Sequence, residues 1–173
     1  MTQFLLIRHG ETAWDILITK GAKGWGGEIA PLTPYGINQV RNIIPVVREW
    51  TPELIVTSPT SRTLHTCGIL ASQLSLPFEV EFDLYEWLPN LNLLWETYEE
   101  VENAFNEMEQ LGGEWPAGET RVWEPLSSVR RRASNALEQY RNYTKVAVTC
   151  HQVVIKALTG KTLDLAEHIE FEL

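Results

Sequence analysis

The chain has 173 residues, a formal net charge of −9 and only two cysteines. This length is enough for one domain with its own hydrophobic core, so no disulfide or structural metal is required. The acidic balance argues against binding nucleic acid or an anionic membrane through the overall electrostatic field. A phosphate ligand would therefore have to be held by a few local positive charges.

The N-terminus, MTQFLLIRHG, lacks the basic segment of a signal peptide and runs directly into an apolar strand at residues 4–7. No stretch approaches the roughly 18 apolar residues of a membrane-spanning helix. Cys67 and Cys150 lie in apolar surroundings and are expected to be reduced core residues. These features predict a cytoplasmic protein.

The first half of the chain alternates between predicted strands and helices. Residues 8–28 are too irregular for a core element, and Thr33 with Pro34 predicts a helix to about Trp50. Pro45 is expected to kink or divide that helix. The elements expected next are a strand at 53–57, a helix from Ser58 to Leu74 and a short strand at 78–80.

The second half begins with a segment of different composition, residues 86–124, which is rich in acidic residues, tryptophan and glycine. We expect it to be an insertion with a helix at 96–111, packed over one end of the sheet. Its tryptophans are interpreted as core residues or as a substrate platform. The elements expected after it are an amphipathic helix at 126–143, a strand at 145–149, a helix from 153 to 158 and a strand at 168–173.

This alternation predicts an α/β fold in which helices cover both faces of a mainly parallel sheet, giving a three-layer sandwich. We expect one domain, residues 1–173, with the insertion at about 86–124 over the active site. Ligand sites in such folds lie beyond the carboxyl ends of the strands. Three such junctions carry reactive side chains: Arg8-His9-Gly10, the segment 58–62 and His151.

The residues at these junctions suit phosphate chemistry. An arginine can donate two parallel hydrogen bonds to phosphate oxygens, and a neutral histidine with a fixed tautomer can attack phosphorus. A second histidine can stabilise charge on the transferred group. The residues alone leave the proton donor open, with five eligible acids: Glu11, Asp15, Glu86, Glu96 and Glu99.

Several motifs, in order, resemble those of the histidine phosphatase superfamily, also called the phosphoglycerate mutase-like family. They are LLIRHGET at 5–12, PLTPYG at 31–36, SPTSRTLHT at 58–66, LYEWLP at 84–89, GEWPAGET at 113–120 and VAVTCHQ at 146–152. The similarity extends over nearly the whole chain. It implies the phosphoglycerate mutase-like fold.

The resemblance also implies a role for each matching residue. His9 corresponds to the nucleophile that becomes phosphohistidine, and Glu86 to the general acid. The residues implied to bind the phosphoryl oxygens are Arg8, Arg62, His151, Thr12 and Ser58. The sequence departs from the family pattern at Asp15, where an asparagine is usual, and at Gln152-Val153, where two glycines are usual.

The expected function is hydrolysis of a small soluble phosphate monoester, with no metal and no cofactor. Two alternatives stay open: a mutase that returns the phosphoryl group to a bound substrate, and a catalytically weak phospholigand-binding regulatory module. The departures at Asp15 and Gln152-Val153 favour the second alternative. Outside the motifs, His65, His168 and the triplet Arg130 to Arg132 are interpreted as structural or solvated residues.

Overall fold

The computed structural model describes all residues, 1–173, as a five-stranded sheet with six α-helices. The strands are β1 (Gln3–Arg8), β2 (Leu54–Thr57), β3 (Phe78–Val80), β4 (Lys145–Cys150) and β5 (His168–Glu172). The helices are α1 (Trp14–Thr19), α2 (Pro34–Trp50), α3 (Ser61–Leu74), α4 (Tyr98–Gln110), α5 (Leu126–Glu138) and α6 (Gln152–Thr159). Two 3₁₀ segments, Gly24–Ile29 and Phe82–Leu84, complete the regular structure.

The strand order is β3-β2-β4-β1-β5, and every pairing is parallel except the antiparallel pairing of β1 with β5. Strand β4 therefore lies between β2 and β1, with Arg8 opposite Cys150 and Thr57 opposite Thr149. The three strands end at the same level of the sheet. Residues that follow them directly are brought to one edge.

Alternate residues along the central strands point to opposite faces, as the pleat of a strand requires. Leu5 and Ile7 pack with helices α2 and α3 on one face, in a core that also contains Val40, Cys67 and Leu70. The other face carries Phe4 and Leu6 together with buried residues of α5 and α6. The predicted α/β fold, with helices on both faces of a mainly parallel sheet, is confirmed.

Several predicted boundaries were wrong for local reasons. Helix α3 begins at Ser61, because its N-cap is Thr60, in extended conformation, and not Ser58. Helix α2 is not divided at Pro45, since its buried face, with Val40 and Val47, continues across that position. Helix α5 ends at Glu138, five residues earlier than expected. Residues 8–28, which were expected to be too irregular for a core element, contain only the short helix α1 and most of the first 3₁₀ segment.

Two tryptophans of the segment 86–124 are part of the hydrophobic core beside α5 and α6. Trp87 and Trp123 are buried there with Met108 of α4. Their indole N–H groups are satisfied within or next to the segment: Trp87 Nε1 donates to the Glu124 carbonyl and Trp123 Nε1 to the Glu107 carboxylate. These two tryptophans are structural, which excludes them as a substrate platform. That the segment covers an active site stays a prediction.

Two glycines allow the loop after β1 to lie against the start of α2. A Cβ on Gly10 would come within 2.6 Å of the Gly36 carbonyl oxygen, and one on Gly36 within 2.3 Å of the Glu11 carbonyl oxygen. Thr33, the N-cap of α2, accepts from Gly36 N and donates to the Glu11 carboxylate at 2.6 Å. The backbone that carries His9 is thereby fixed against a helix.

Candidate active site

The sheet topology brings His9, Ser58 and His151 together, because each directly follows one of the three neighbouring parallel strands. The His9 amide donates to Cys150 O at 3.2 Å and the Ser58 amide to Thr149 O at 3.0 Å, continuing the strand ladders. The rings of His9 and His151 meet edge to face, with centroids 5.4 Å apart. The convergence that the sequence predicted for these junctions is present.

The His9 ring is held in one tautomer by its own loop. Its Nδ1 lies 2.8 Å from the carbonyl oxygen of Gly10, which can only accept, so Nδ1 carries the proton. Thr12 Oγ1 lies 3.5 Å from the same nitrogen. The other ring nitrogen, Nε2, is left with a free lone pair. This is the arrangement required of a histidine nucleophile.

Both histidines are neutral at physiological pH. Burial, assisted by the nearby positive charge of Arg62, lowers the pKa of His9 to about 3. The pKa of His151 lies well below its usual value because of burial and then the charge of Arg62. His151 is fully buried, and its Nε2 is 2.7 Å from Ser58 Oγ, while its Nδ1 has no protein partner.

The two arginines supply the positive charge, although neither is free of protein contacts. Arg62, in the first turn of α3, has a side chain only 3% exposed. Its Nη1 lies 2.7 Å from Glu28 Oε2, in an orientation that makes an ion pair without a directional hydrogen bond. Arg8 donates through Nη1 to the Leu163 carbonyl, and its Nε is buried without a partner.

Glu86 belongs to the same electrostatic environment. Burial raises the pKa of its carboxyl, the hydrogen bond from the Trp87 amide to Oε1 at 2.8 Å opposes that rise, and the charges of Arg62 and Glu28 act on it in opposite directions. Glu86 in turn raises the pKa of Arg8, on which burial has the larger and opposite effect. A carboxyl with a raised pKa beside arginines can hold a proton for transfer.

The backbone that carries Glu86 is held by Arg132 of α5. This guanidinium donates to the carbonyls of Asp83 and Tyr85, each at 2.7 Å, and lies 3.7 Å from the centre of the Tyr85 ring. It also makes two hydrogen bonds of 2.9 Å to the carboxylate of Glu124, which is 3% exposed. The interpretation of Arg132 as a solvated residue was therefore wrong, whereas Arg130 and Arg131 are exposed.

Other residues singled out in the sequence lie away from this centre. Asp15 is exposed on α1, and Gln152 and Val153 begin helix α6, with Val153 buried in the core. Glu119, in the GEWPAGET motif, is exposed and pairs with Arg121. No group of three or more His, Cys, Asp or Glu side chains has the arrangement of a metal site. None of the helices is long and apolar enough to cross a membrane.

The buried pair of Arg132 and Glu124 gives a prediction for stability. Replacing Arg132 by Met should lower the free energy of unfolding by about 3–5 kcal/mol, because Glu124 would keep a buried charge without its partner. The matched control is Arg130→Met, at an exposed residue two positions earlier on α5. It should change the free energy of unfolding by less than about 0.5 kcal/mol. Urea denaturation measures both values. Equal values for the two variants would contradict the role assigned to Arg132.

Comparison with known proteins agrees with this geometry. The chain is 37% identical over 83 residues to the uncharacterized phosphatase PhoE of Bacillus subtilis, which is 48% of this chain and 40% of that protein. It is 30% identical over 181 residues to the probable phosphoglycerate mutase GpmB of Photorhabdus laumondii, covering 100% of this chain and 80% of the relative.

The fold is also found among solved structures. A mycobacterial glucosyl-3-phosphoglycerate phosphatase in complex with VO3 superposes with a TM-score of 0.70 at 18% identity, over 98% of this chain and 90% of that one. The family model of the histidine phosphatase superfamily (branch 1) matches residues 4–172. With that match over almost the whole chain, and the paired histidines at the ends of β1 and β4, the protein belongs to the histidine phosphatase superfamily.

Proposed function

We propose that this protein is a phosphatase that hydrolyses a small phosphate monoester through a phosphohistidine intermediate on His9. The observation that carries the proposal is the neutral His9 ring, whose Nδ1 is held by the Gly10 carbonyl, beside a second neutral histidine and Arg62. No metal or organic cofactor takes part in the proposed reaction. The two buried free thiols, Cys67 and Cys150, support a reducing compartment, and we infer the cytoplasm.

The first half of the reaction transfers the phosphoryl group to the protein. The lone pair of His9 Nε2 forms a bond to phosphorus while the bond between phosphorus and the ester oxygen breaks. The proton of Glu86 passes to the departing oxygen, which leaves as an alcohol. Arg8 and Arg62 bind the phosphoryl oxygens, with Thr12 as a further ligand, because positive charge and hydrogen-bond donors stabilise the charge that develops there. Ser58 is not a direct donor in this scheme, because the single proton of its hydroxyl goes to His151 Nε2.

The second half returns the site to its starting state. Glu86, now a carboxylate, accepts a proton from a water molecule as that water attacks phosphorus. The bond from phosphorus to His9 Nε2 breaks, and inorganic phosphate leaves. If the Ser58 hydroxyl donates to His151 Nε2, the N–H proton of His151 is on Nδ1. From there it can be donated in a hydrogen bond to a phosphoryl oxygen in both steps.

The main alternative is a mutase, favoured by the similarity over the full chain to a protein named as a probable phosphoglycerate mutase. A mutase and a phosphatase share the phosphohistidine and differ in whether water or a bound alcohol receives the phosphoryl group. Release of inorganic phosphate without isomerised product supports the phosphatase. Tight binding of phosphate esters with no turnover would instead support a phospholigand-binding module.

The first prediction of this proposal concerns the nucleophile. His9→Ala should reduce hydrolysis of a generic phosphate ester by roughly 10³-fold or more, because no other group replaces the attacking nitrogen. The control His65→Gln, at a half-buried residue of α3 whose ring accepts a hydrogen bond from Leu32 N that the amide oxygen of Gln could also accept, should retain activity. Assays contain EDTA, because the mechanism uses no metal. Rapid acid-free quenching with labelled substrate should trap a base-stable, acid-labile phosphoprotein, and an acid-stable adduct would contradict the mechanism.

The second prediction concerns the proton donor. Glu86→Gln should slow hydrolysis of alkyl phosphates by about 10²-fold, because an alkoxide leaves poorly without a proton. Aryl phosphates such as nitrophenyl phosphate, whose leaving group needs little protonation, should lose less than about tenfold. The measurement is kcat/KM for one ester of each kind. Equal losses for both would assign Glu86 to binding or structure and make Glu11 or a residue of the insertion the better candidate.

A further inference from the structure

Glu28 is a carboxylate within the proposed phosphate site, and the reaction above assigns it no role. It lies in the 3₁₀ segment Gly24–Ile29, with a side chain 15% exposed and Oε2 2.7 Å from Arg62 Nη1. That segment is held by the backbone, since Gly24 N donates to Trp95 O at 2.8 Å and a Cβ on Gly24 would meet Leu93 O at 2.6 Å. Glu28 is therefore fixed beside the arginine.

The pairing changes the charge that an incoming substrate meets. Arg62 can still donate hydrogen bonds to phosphoryl oxygens, because a guanidinium has five N–H donors and only Nη1 faces Glu28. Its positive charge, however, is already compensated. Burial lowers the pKa of Arg8, and the negative charges of Glu86, Asp164 and Glu167 oppose that effect, but Arg8 makes no ion pair comparable to that of Arg62. In the proposed reaction Arg8 binds the phosphoryl oxygens, so neither arginine is left over for a second anionic group of the substrate.

Two tryptophans lie in this part of the molecule. The Trp14 ring has its centre 5.2 Å from Arg62 Cζ and is 46% exposed, so part of its surface is open to solvent. Trp25 lies in the same 3₁₀ segment as Glu28. Its ring meets that of Tyr85 edge to face, with centroids 5.9 Å apart, and Tyr85 directly precedes Glu86 in the chain. Aromatic faces favour apolar and cationic groups over anions.

We propose that Glu28 is a specificity-determining residue, which selects phosphate monoesters with an uncharged or cationic leaving group and rejects those with a second anionic group close to the phosphate. This inference rests on the proposed function, because it assigns the substrate class of the same site. Its physical basis is repulsion between the Glu28 carboxylate and a substrate carboxylate beside Arg62, whose positive charge Glu28 already compensates.

The test compares three esters of similar size: ethyl phosphate, ethanolamine phosphate and phosphoglycolate. For the wild type, kcat/KM for phosphoglycolate should be at least about tenfold below that for the other two. Glu28→Gln, which keeps the shape and removes the charge, should reduce that difference by about tenfold, mainly by raising the value for phosphoglycolate. Glu28→Asp should retain part of the discrimination. Glu96→Gln, an exposed site with the same change in net charge, should leave it unchanged.

A binding measurement separates this proposal from the hydrolysis mechanism. Calorimetric titration with inorganic phosphate and with phosphoglycolate needs no turnover. Glu28→Gln should tighten the binding of phosphoglycolate by about tenfold and change that of inorganic phosphate by less than about threefold. If no ester is hydrolysed but this tightening occurs, the phosphatase proposal fails and the role of Glu28 stands. Two results would overturn the role of Glu28. One is unchanged or weaker binding of phosphoglycolate in a folded Glu28→Gln protein, and the other is an unchanged ratio of kcat/KM between phosphoglycolate and the other two esters.

Discussion

The hydrogen bond from His9 Nδ1 to the Gly10 carbonyl determines what the rest of the site can do. It uses the only proton of the neutral ring and leaves Nε2 as a base and nucleophile. The bond is local, between neighbouring residues, yet it depends on distant parts of the chain. Gly10 lies so close to Gly36 that a side chain on either residue would collide with backbone atoms of the other loop. The start of α2 thus fixes the conformation of the nucleophile.

Burial then decides the protonation state of the histidines and shapes that of the acid. His9 and His151 lie among positive charges and out of solvent, and both effects disfavour a second ring proton. The same burial has the opposite consequence for Glu86, because it disfavours the charged form of a carboxyl and raises its pKa. One environment therefore keeps the histidines neutral while favouring retention of the proton on the carboxyl, which is the combination that the proposed mechanism needs.

The sequence was most informative about residues at strand ends. A short apolar strand followed by Arg8 and His9, and another followed by His151, predicted their convergence because parallel strands end at one edge of a sheet. Glu28 was missed because it lies in a segment without hydrophobic periodicity, so no pattern assigned it a position. Arg132 was missed because three consecutive arginines on a helix point in different directions. Only the burial of Val129 and Ala133 shows which of the three faces inward.

The proposed mechanism requires a neutral His9 ring with its proton on Nδ1, and nitrogen NMR of the imidazoles tests this directly. The chain has four histidines, and His9→Ala identifies the signals of His9. We expect the His9 ring to stay in the Nδ1–H tautomer from pH 8 down to pH 5, since the pKa of His9 is lowered to about 3. Orthovanadate, which mimics phosphate, should shift the signals of both His9 and His151. A His9 ring that takes up a second proton near pH 6.5, or that carries its proton on Nε2, would contradict the account.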